Sequence, residues 1–261
     1  MKIKNSKTGQ VLLISLMLVA TVVTVMLASS FTSVSNTQIT KLEEENQKAL
    51  AAAEAGIEKA LQQKSGSVNI GSLSNLGNYT GTATIDNTYN KTIFSSPLMQ
   101  KNENYTFYLA DKDTFTNPYN GNLTVYYGSQ SSCSDIALEI TVIYDDSATT
   151  GYDVKKYVAD IGNKFASDTD DIGVNSGATK EDQAYNCNFP INISAYQNPK
   201  IMFIQTFFNS TKYAFDGGIN VIKPQGSFVN SQATSNSGVS KKIQLFQSYP
   251  QIPSDFFMTN L

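Results

Sequence analysis

Histidine and tryptophan are absent from the 261 residues, and cysteine occurs only twice. Arginine is absent too, so all 19 basic residues are lysine. Each absence excludes a chemistry. Without histidine there is no Ser-His-Asp or Cys-His nucleophile system, no imidazole metal ligand and no ordinary near-neutral general base. Without arginine there is no planar fork for bidentate contacts to phosphate or guanine. The formal net charge is -3, so the electrostatic footprint of a nucleic-acid binder is missing, and nucleic acid is not an expected partner. Charged residues make up only 16% of the chain, which leaves the surface of any globular core to uncharged polar side chains.

Charge is also missing locally. No charged residue stands between Lys7 and Lys41. Within that window Val11 to Leu27 is almost continuously apolar, interrupted only by Ser15, Thr21 and Thr24. Extended to Phe31, the stretch spans roughly 31 Å as a helix, enough to cross a bilayer. Lys2, Lys4 and Lys7 precede it and nothing basic comes after it until Lys41. The positive-inside rule then keeps the short N-terminus in the cytoplasm and sends the rest outward. Three readings compete: a cleaved secretory signal with Ala28-Ser29-Ser30 as its small-residue site, a plain membrane anchor, and a span that continues into a longer helix.

The continuation favours the third. From Thr37 to Lys64 there is no proline, and the first glycine is Gly56. Ile39, Leu42, Ala49, Leu50, Ala53, Ile57, Ala60 and Leu61 recur mostly at spacings of three and four, the stripe of an amphipathic helix. Glu43, Glu44, Glu45, Lys48, Glu54, Glu58 and Lys59 take the other face, with Glu44 and Lys48 as an i,i+4 pair in the favourable order. Ser65-Gly66-Ser67 supplies the stop. One helix over residues 10–64 is the expectation, with 10–36 as the apolar, membrane-spanning half and the remainder amphipathic, its Leu50–Ile57–Leu61 stripe packed on the C-terminal domain.

On these residues the chain resembles the type IV pilins. Lys7-Thr8-Gly9-Gln10-Val11-Leu12-Leu13-Ile14 looks like a prepilin peptidase site, a basic leader and a glycine ahead of a long apolar helix. Ala49-Leu50-Ala51-Ala52-Ala53-Glu54-Ala55-Gly56-Ile57-Glu58-Lys59-Ala60 is similar to the alanine-rich helix of minor pilins of the PilX type. The resemblance is strongest over residues 1–64. It implies a leader over residues 1–9, cleavage between Gly9 and Gln10, and a helix that sits in the membrane and later in a filament core. It also implies partners: other pilin subunits, the prepilin peptidase, and an assembly platform with its ATPase. Two positions depart from the pattern. Gln10 stands where phenylalanine is usual, and Ile14 stands at the fifth mature position, where major pilins carry a glutamate thought to meet a neighbour's terminal amine. An unpartnered buried charge costs several kcal/mol, so a place near the filament tip is one expectation for a subunit without that glutamate; simple drift of this position in minor pilins is the other. The K-type tip pseudopilins of secretion systems share this lack.

From about residue 67 the pattern changes to short β-branched and aromatic runs between Asn, Gly, Ser and Asp clusters. Expected strands are Tyr79–Ile85, Tyr105–Ala110, Asn122–Tyr127, Asp135–Tyr144, Tyr152–Ala159, Lys200–Phe208, Ile219–Lys223, Ser227–Thr234 and Lys241–Ser248. The clearest hairpin joins Ile136–Tyr144 to Asp153–Ala159. Lys155, Lys156, Lys241 and Lys242 read as protection of exposed sheet edges. The expected class is therefore α+β: a long N-terminal helix packed on an antiparallel β-rich exterior domain over residues 65–261, in a sandwich or rolled sheet.

Cys133 and Cys187 both lie beyond the apolar segment and so face a potentially oxidising compartment. A bridge between them closes a loop of about 54 residues and stabilises by roughly 3–4 kcal/mol in the chain-entropy model; two buried free thiols are the alternative. Asp168, Asp170 and Asp171 before Gly173 resemble the start of a calcium loop, but Ile172 and Thr179 stand where further ligands belong. A solvated acidic loop is the competing reading, and no cofactor is expected. No serine lies in a G-x-S-x-G elbow and no glycine-rich phosphate loop comes after a strand. The chain reads as a non-enzyme that is anchored in the cytoplasmic membrane before assembly and then carried on a cell-surface filament in an adhesive or assembly role. Its rivals are a membrane-anchored surface protein that never polymerises, and an anchored carbohydrate-active domain, which needs a carboxylate pair lining a cleft.

Overall fold

The computed structural model describes residues 7–64, 66–73, 78–88, 90–146, 150–165 and 171–253, with the backbone alone for 7–11. A single α-helix, α1, runs over Lys7–Gln63 without a break. It stops at Lys64, whose backbone takes the left-handed conformation with φ 62° while its N–H still bonds to Ala60 O at 3.1 Å. Helices commonly end on such a residue, because the turn of handedness diverts the chain. Beyond the helix the chain is antiparallel sheet, in accord with the α+β expectation.

The described residues after the helix form fifteen strands. In chain order, β1 is Gly66–Asn69, β2 Tyr79–Asp86, β3 Ile93–Ser95, β4 Asn104–Tyr108 and β5 Asn122–Tyr127. Next come β6 Ala137–Asp145, β7 Tyr152–Ala159, β8 Asn175–Ser176, β9 Thr179–Lys180 and β10 Gln183–Ala184. The last are β11 Cys187–Asn192, β12 Ile201–Phe207, β13 Ala214–Asp216, β14 Gly226–Ser235 and β15 Ser240–Ser248. They form sheets in the orders β1-β2-β14-β15, β10-β9, β3-β13-β5-β11-β8 and β4-β12-β6-β7. The chain divides into two compact units, residues 1–84 with 230–244, and residues 85–229 with 245–261.

In the first unit the C-terminal half of α1 lies on the sheet. Ala49, Ala52, Ala53, Gly56, Ile57 and Ala60 are buried, and Ala52 and Ala53 pack with Ile70, Tyr79, Ala233 and Ile243. This corrects the expected stripe: Leu50 is 41% exposed and Leu61 is half-buried. The covered face is alanine and glycine because the helix backbone sits close to the strands. A Cβ on Gly56 would come within 2.7 Å of Ser231 Oγ and 3.1 Å of Ile70. The bulkier leucines are left at the flanks.

The second unit is a β-sandwich. Leu123, Val125 and Tyr127 of β5, with Phe189 and Ile191 of β11, meet Phe107, Leu138, Ile140, Met202 and Ile204 of the facing sheet in one core. Cross-strand partners such as Phe189 with Val125 and Ile191 with Leu123 place these side chains on the same face. The expected hairpin is present, with Ile140 opposite Tyr157 and Tyr144 opposite Asp153. Lys155 and Lys156 lie on β7 and Lys241 and Lys242 on β15, both edge strands.

One expected strand is a loop, and β1, β3, β8 to β11 and β13 lie outside the expected set. Ile219–Lys223 is a loop, because Gly217-Gly218 turns the chain there: Gly218 has φ +65° and Asn220 N–H bonds to Gly217 O at 3.0 Å. Ile219 consequently stands 95% exposed. Conversely, Cys187–Asn192 is a strand despite Pro190, which argues against a central strand in sequence. The neighbouring β8 pairs only with Cys187 and Asn188, so at Pro190 no ladder hydrogen bond is demanded on that side.

Gly56→Leu is expected to destabilise the first unit by about 1–3 kcal/mol through overpacking, whereas the flanking Leu50→Gln stays within about 0.5 kcal/mol. Chemical denaturation of the full chain in detergent, monitored by far-UV circular dichroism, measures both.

Candidate functional site

The N-terminal half of α1 is the most unusual surface of this protein. Every described residue from Leu12 to Glu44 is exposed, including Leu12, Leu13, Leu16, Val19, Val22 and Met26. The helix is long and apolar enough to cross a membrane. The few hydroxyls in the run do not oppose this. Ser15 donates to Leu12 O at 2.9 Å, Thr21 to Leu18 O at 2.9 Å, Thr24 to Thr21 O at 2.8 Å and Thr32 to Ala28 O at 2.9 Å. These four hydroxyl hydrogens are satisfied within the helix, which removes most of the cost of placing them in hydrocarbon.

The residues singled out in sequence are scattered over both units. The Gly9–Gln10 peptide lies inside the helical backbone that begins at Lys7. Ile14 is an exposed apolar side chain on the uncharged run. Cys133 and Cys187 are joined in a disulfide with their Cα atoms 5.8 Å apart, so both cysteines are bridged and the free-thiol alternative falls. Cys187 is fully buried on β11 opposite Tyr127, and Cys133 opens a short 3-10 turn over Cys133–Asp135. The bridge therefore ties a surface turn to the sandwich core. Of the calcium candidates, Asp168 and Asp170 lie outside the described residues. Asp171 is exposed, and its backbone forms a parallel bridge with Val158. Among the described residues no cluster of three or more His, Cys, Asp or Glu could hold a metal.

Polar hollows exist, and sequence reasoning named none of them. In the first unit one of about 510 Å³ is lined by Glu45, Lys48, Asn78, Tyr79 and Ser235–Ser237. Ser237 donates to Glu45. Glu44 and Lys48 form an exposed ion pair at 2.5 Å. Their mutual hydrogen bond holds the Glu44 carboxyl below, and the Lys48 ammonium above, their ordinary ranges. In the second unit Asp111 and Asp113 share a hollow of about 280 Å³. Each faces a lysine, Asp111 with Lys223 at 3.4 Å and Asp113 with Lys112 at 2.8 Å. Each carboxylate thus pairs with a lysine and not with the other carboxylate. No signal in the sequence marks such hollows, because their walls come from segments far apart in the chain.

No family model, curated protein or solved structure matches this chain.

Replacing both cysteines, Cys133→Ala with Cys187→Ala, is expected to lower unfolding stability by about 4 kcal/mol in the chain-entropy model. Guanidinium titration of the full chain in detergent, with and without reductant, measures this. Reductant should lower the midpoint of the native chain and leave that of the double variant unchanged.

Proposed function

We propose that this chain is a minor subunit of a type IV pilus or a related filament, with an assembly or adhesion role and no catalysis. The observation that carries the reading is one continuous helix with two surfaces. Its first half is uncharged and uncovered, and its second half is clamped by an alanine-glycine stripe to the exterior sheet. Such a helix can be held by a bilayer and later by the apolar helices of neighbouring subunits, since both cover the same side chains by van der Waals contact. The small residues Ala20 and Ala28 allow close approach there.

On this reading the N-terminus faces the cytoplasm, the prepilin peptidase cuts between Gly9 and Gln10, and the platform protein and ATPase extract the subunit. The β-sandwich is then displayed at the cell surface. Ile14 supports a place near the filament tip, because this subunit offers no carboxylate to the amine of the next one.

The mature N-terminus tests the proposal. Mass spectrometry of the protein from native membranes and from sheared surface filaments should find a chain beginning at Gln10. A chain still beginning at Met1 would favour a static anchor, and one beginning near Phe31 would make this a secreted protein. Gold labelling of the filaments should mark ends; label along the shaft would remove the tip assignment.

A further inference from the structure

The buried stripe of α1 has an uncovered image higher on the same helix. Eighteen residues make about five turns at 3.6 residues per turn. Phe31, Val34, Gln38, Ile39 and Leu42 therefore stand directly above Ala49, Ala52, Gly56, Ile57 and Ala60. The lower set is buried against the sheet, whereas Phe31, Val34, Ile39 and Leu42 are 51% to 74% exposed. These four side chains share an arc of about 140°, with Gln38 and Ser35 inside it, and Ser33, Asn36, Thr37, Thr40 and Glu44 take the opposite face. The segment is amphipathic, yet its apolar face touches nothing in the described chain.

The bilayer covers only its start. A span from Val11 uses up the hydrocarbon thickness by about Phe31, and Leu42 lies roughly 16 Å farther along at 1.5 Å per residue. The segment cannot lie flat in the headgroup layer, because it continues the spanning helix without a break. Its charges also argue against anionic headgroups: Glu43 and Glu44 outnumber Lys41, where interfacial helices carry several cations.

We infer that the stripe Phe31–Leu42 is a pairing surface for a second copy of this chain, parallel and in register. The inference rests on the membrane-anchored reading. Two chains held by identical spans in one bilayer point the same way at the same height, so like residues meet. Phe31 then faces Phe31 and Leu42 faces Leu42. Gln38, one of two polar residues inside the arc with Ser35, meets its own copy. Each amide N–H donates to the other's carbonyl oxygen, a pairing that penalises any other register. Charge agrees as well. Lys41 lies on one flank of the stripe and Glu43 on the other, so a two-fold parallel pair sets the Lys41 flank of one chain against the Glu43 flank of its partner. The stripe is continuous with the helix–sheet interface below, and larger side chains replace alanine where a round helix, not a flat sheet, must be met.

Single-cysteine variants of the full chain in native membranes test this. The native cysteines are already bridged to each other. Under mild oxidation Phe31→Cys, Gln38→Cys and Leu42→Cys should give a covalent dimer of twice the chain mass. Ser33→Cys and Thr40→Cys, on the far face and out of disulfide reach, should give roughly tenfold less. Equal yields on both faces, or none on the stripe, would overturn the pairing, as would a stripe product of another mass, which would identify a different chain as the partner. An alkaline carbonate wash of the same membranes separates the two levels. Release overturns the anchor and the pairing with it, and retention without stripe-specific dimer overturns the pairing alone.

Discussion

Between Lys7 and Lys41 the helix carries no charge, and along it the side chains from Leu12 onward are bare. At about 1.5–3 kcal/mol for each large apolar side chain left in water, the run carries a penalty on the order of tens of kcal/mol. A domain's whole net stability is about 5–15 kcal/mol. The protein is therefore complete only when something apolar surrounds this helix. Three features go with that requirement: hydroxyls such as Ser15, Thr21, Thr24 and Thr32 bonded within the helix, a helix that runs on past its uncharged stretch, and a sheet packed on its C-terminal half.

The grip on the far end relies on small side chains. Ala49, Ala52, Ala53, Gly56 and Ala60 bury little area each, but they let the helix approach the strands until Ser231 Oγ crowds the place where a Cβ of residue 56 would be. Close approach brings many weak contacts into range at once. It also makes the contact shape-selective, so a larger residue at Gly56 cannot be absorbed without moving a strand. Ser231 Oγ is left without a hydrogen-bond partner in the described structure, which is one consequence of that closeness.

The sandwich of the second unit solves a different problem, how to keep short strands together. Its aromatic core includes Phe107 stacked on Phe215 at 4.1 Å between ring centroids. The disulfide adds a constraint on the unfolded chain that packing alone does not provide. At β4, whose outer edge lacks a strand neighbour, side-chain amides substitute for one. The Gln225 carbonyl accepts from Tyr108 N–H at 2.8 Å, its amide donates to Tyr108 O at 2.9 Å, and Gln251 accepts from Thr106 N–H at 2.7 Å. The edge strands β7 and β15 carry lysines instead. Both devices discourage strand pairing with other chains.

The long helix, its apolar half, the Glu44–Lys48 pair and the main hairpin were legible in the sequence, because each depends on residues close together in the chain. A charge gap, a spacing of three and four, or alternation around a turn is a local signal. Ser65-Gly66-Ser67 located the helix end to within two residues, and Tyr152–Ala159 matched its strand because its β-branched and aromatic residues lie directly beyond a turn. The cysteines showed that a bridge could form, and only the fold brought residues 133 and 187 together. Leu50 looked like core and is not, since helical periodicity gives the direction of a face but not the shape of the surface that meets it. The strand at Cys187–Asn192 was not legible, and Pro190 is tolerated in it because β8 ends before that residue. Ile219–Lys223 has strand-like residues but no strand to pair with. In each of these cases the deciding contact joins residues far apart in sequence, and the free energy that settles it belongs to the packed pair and to neither segment alone.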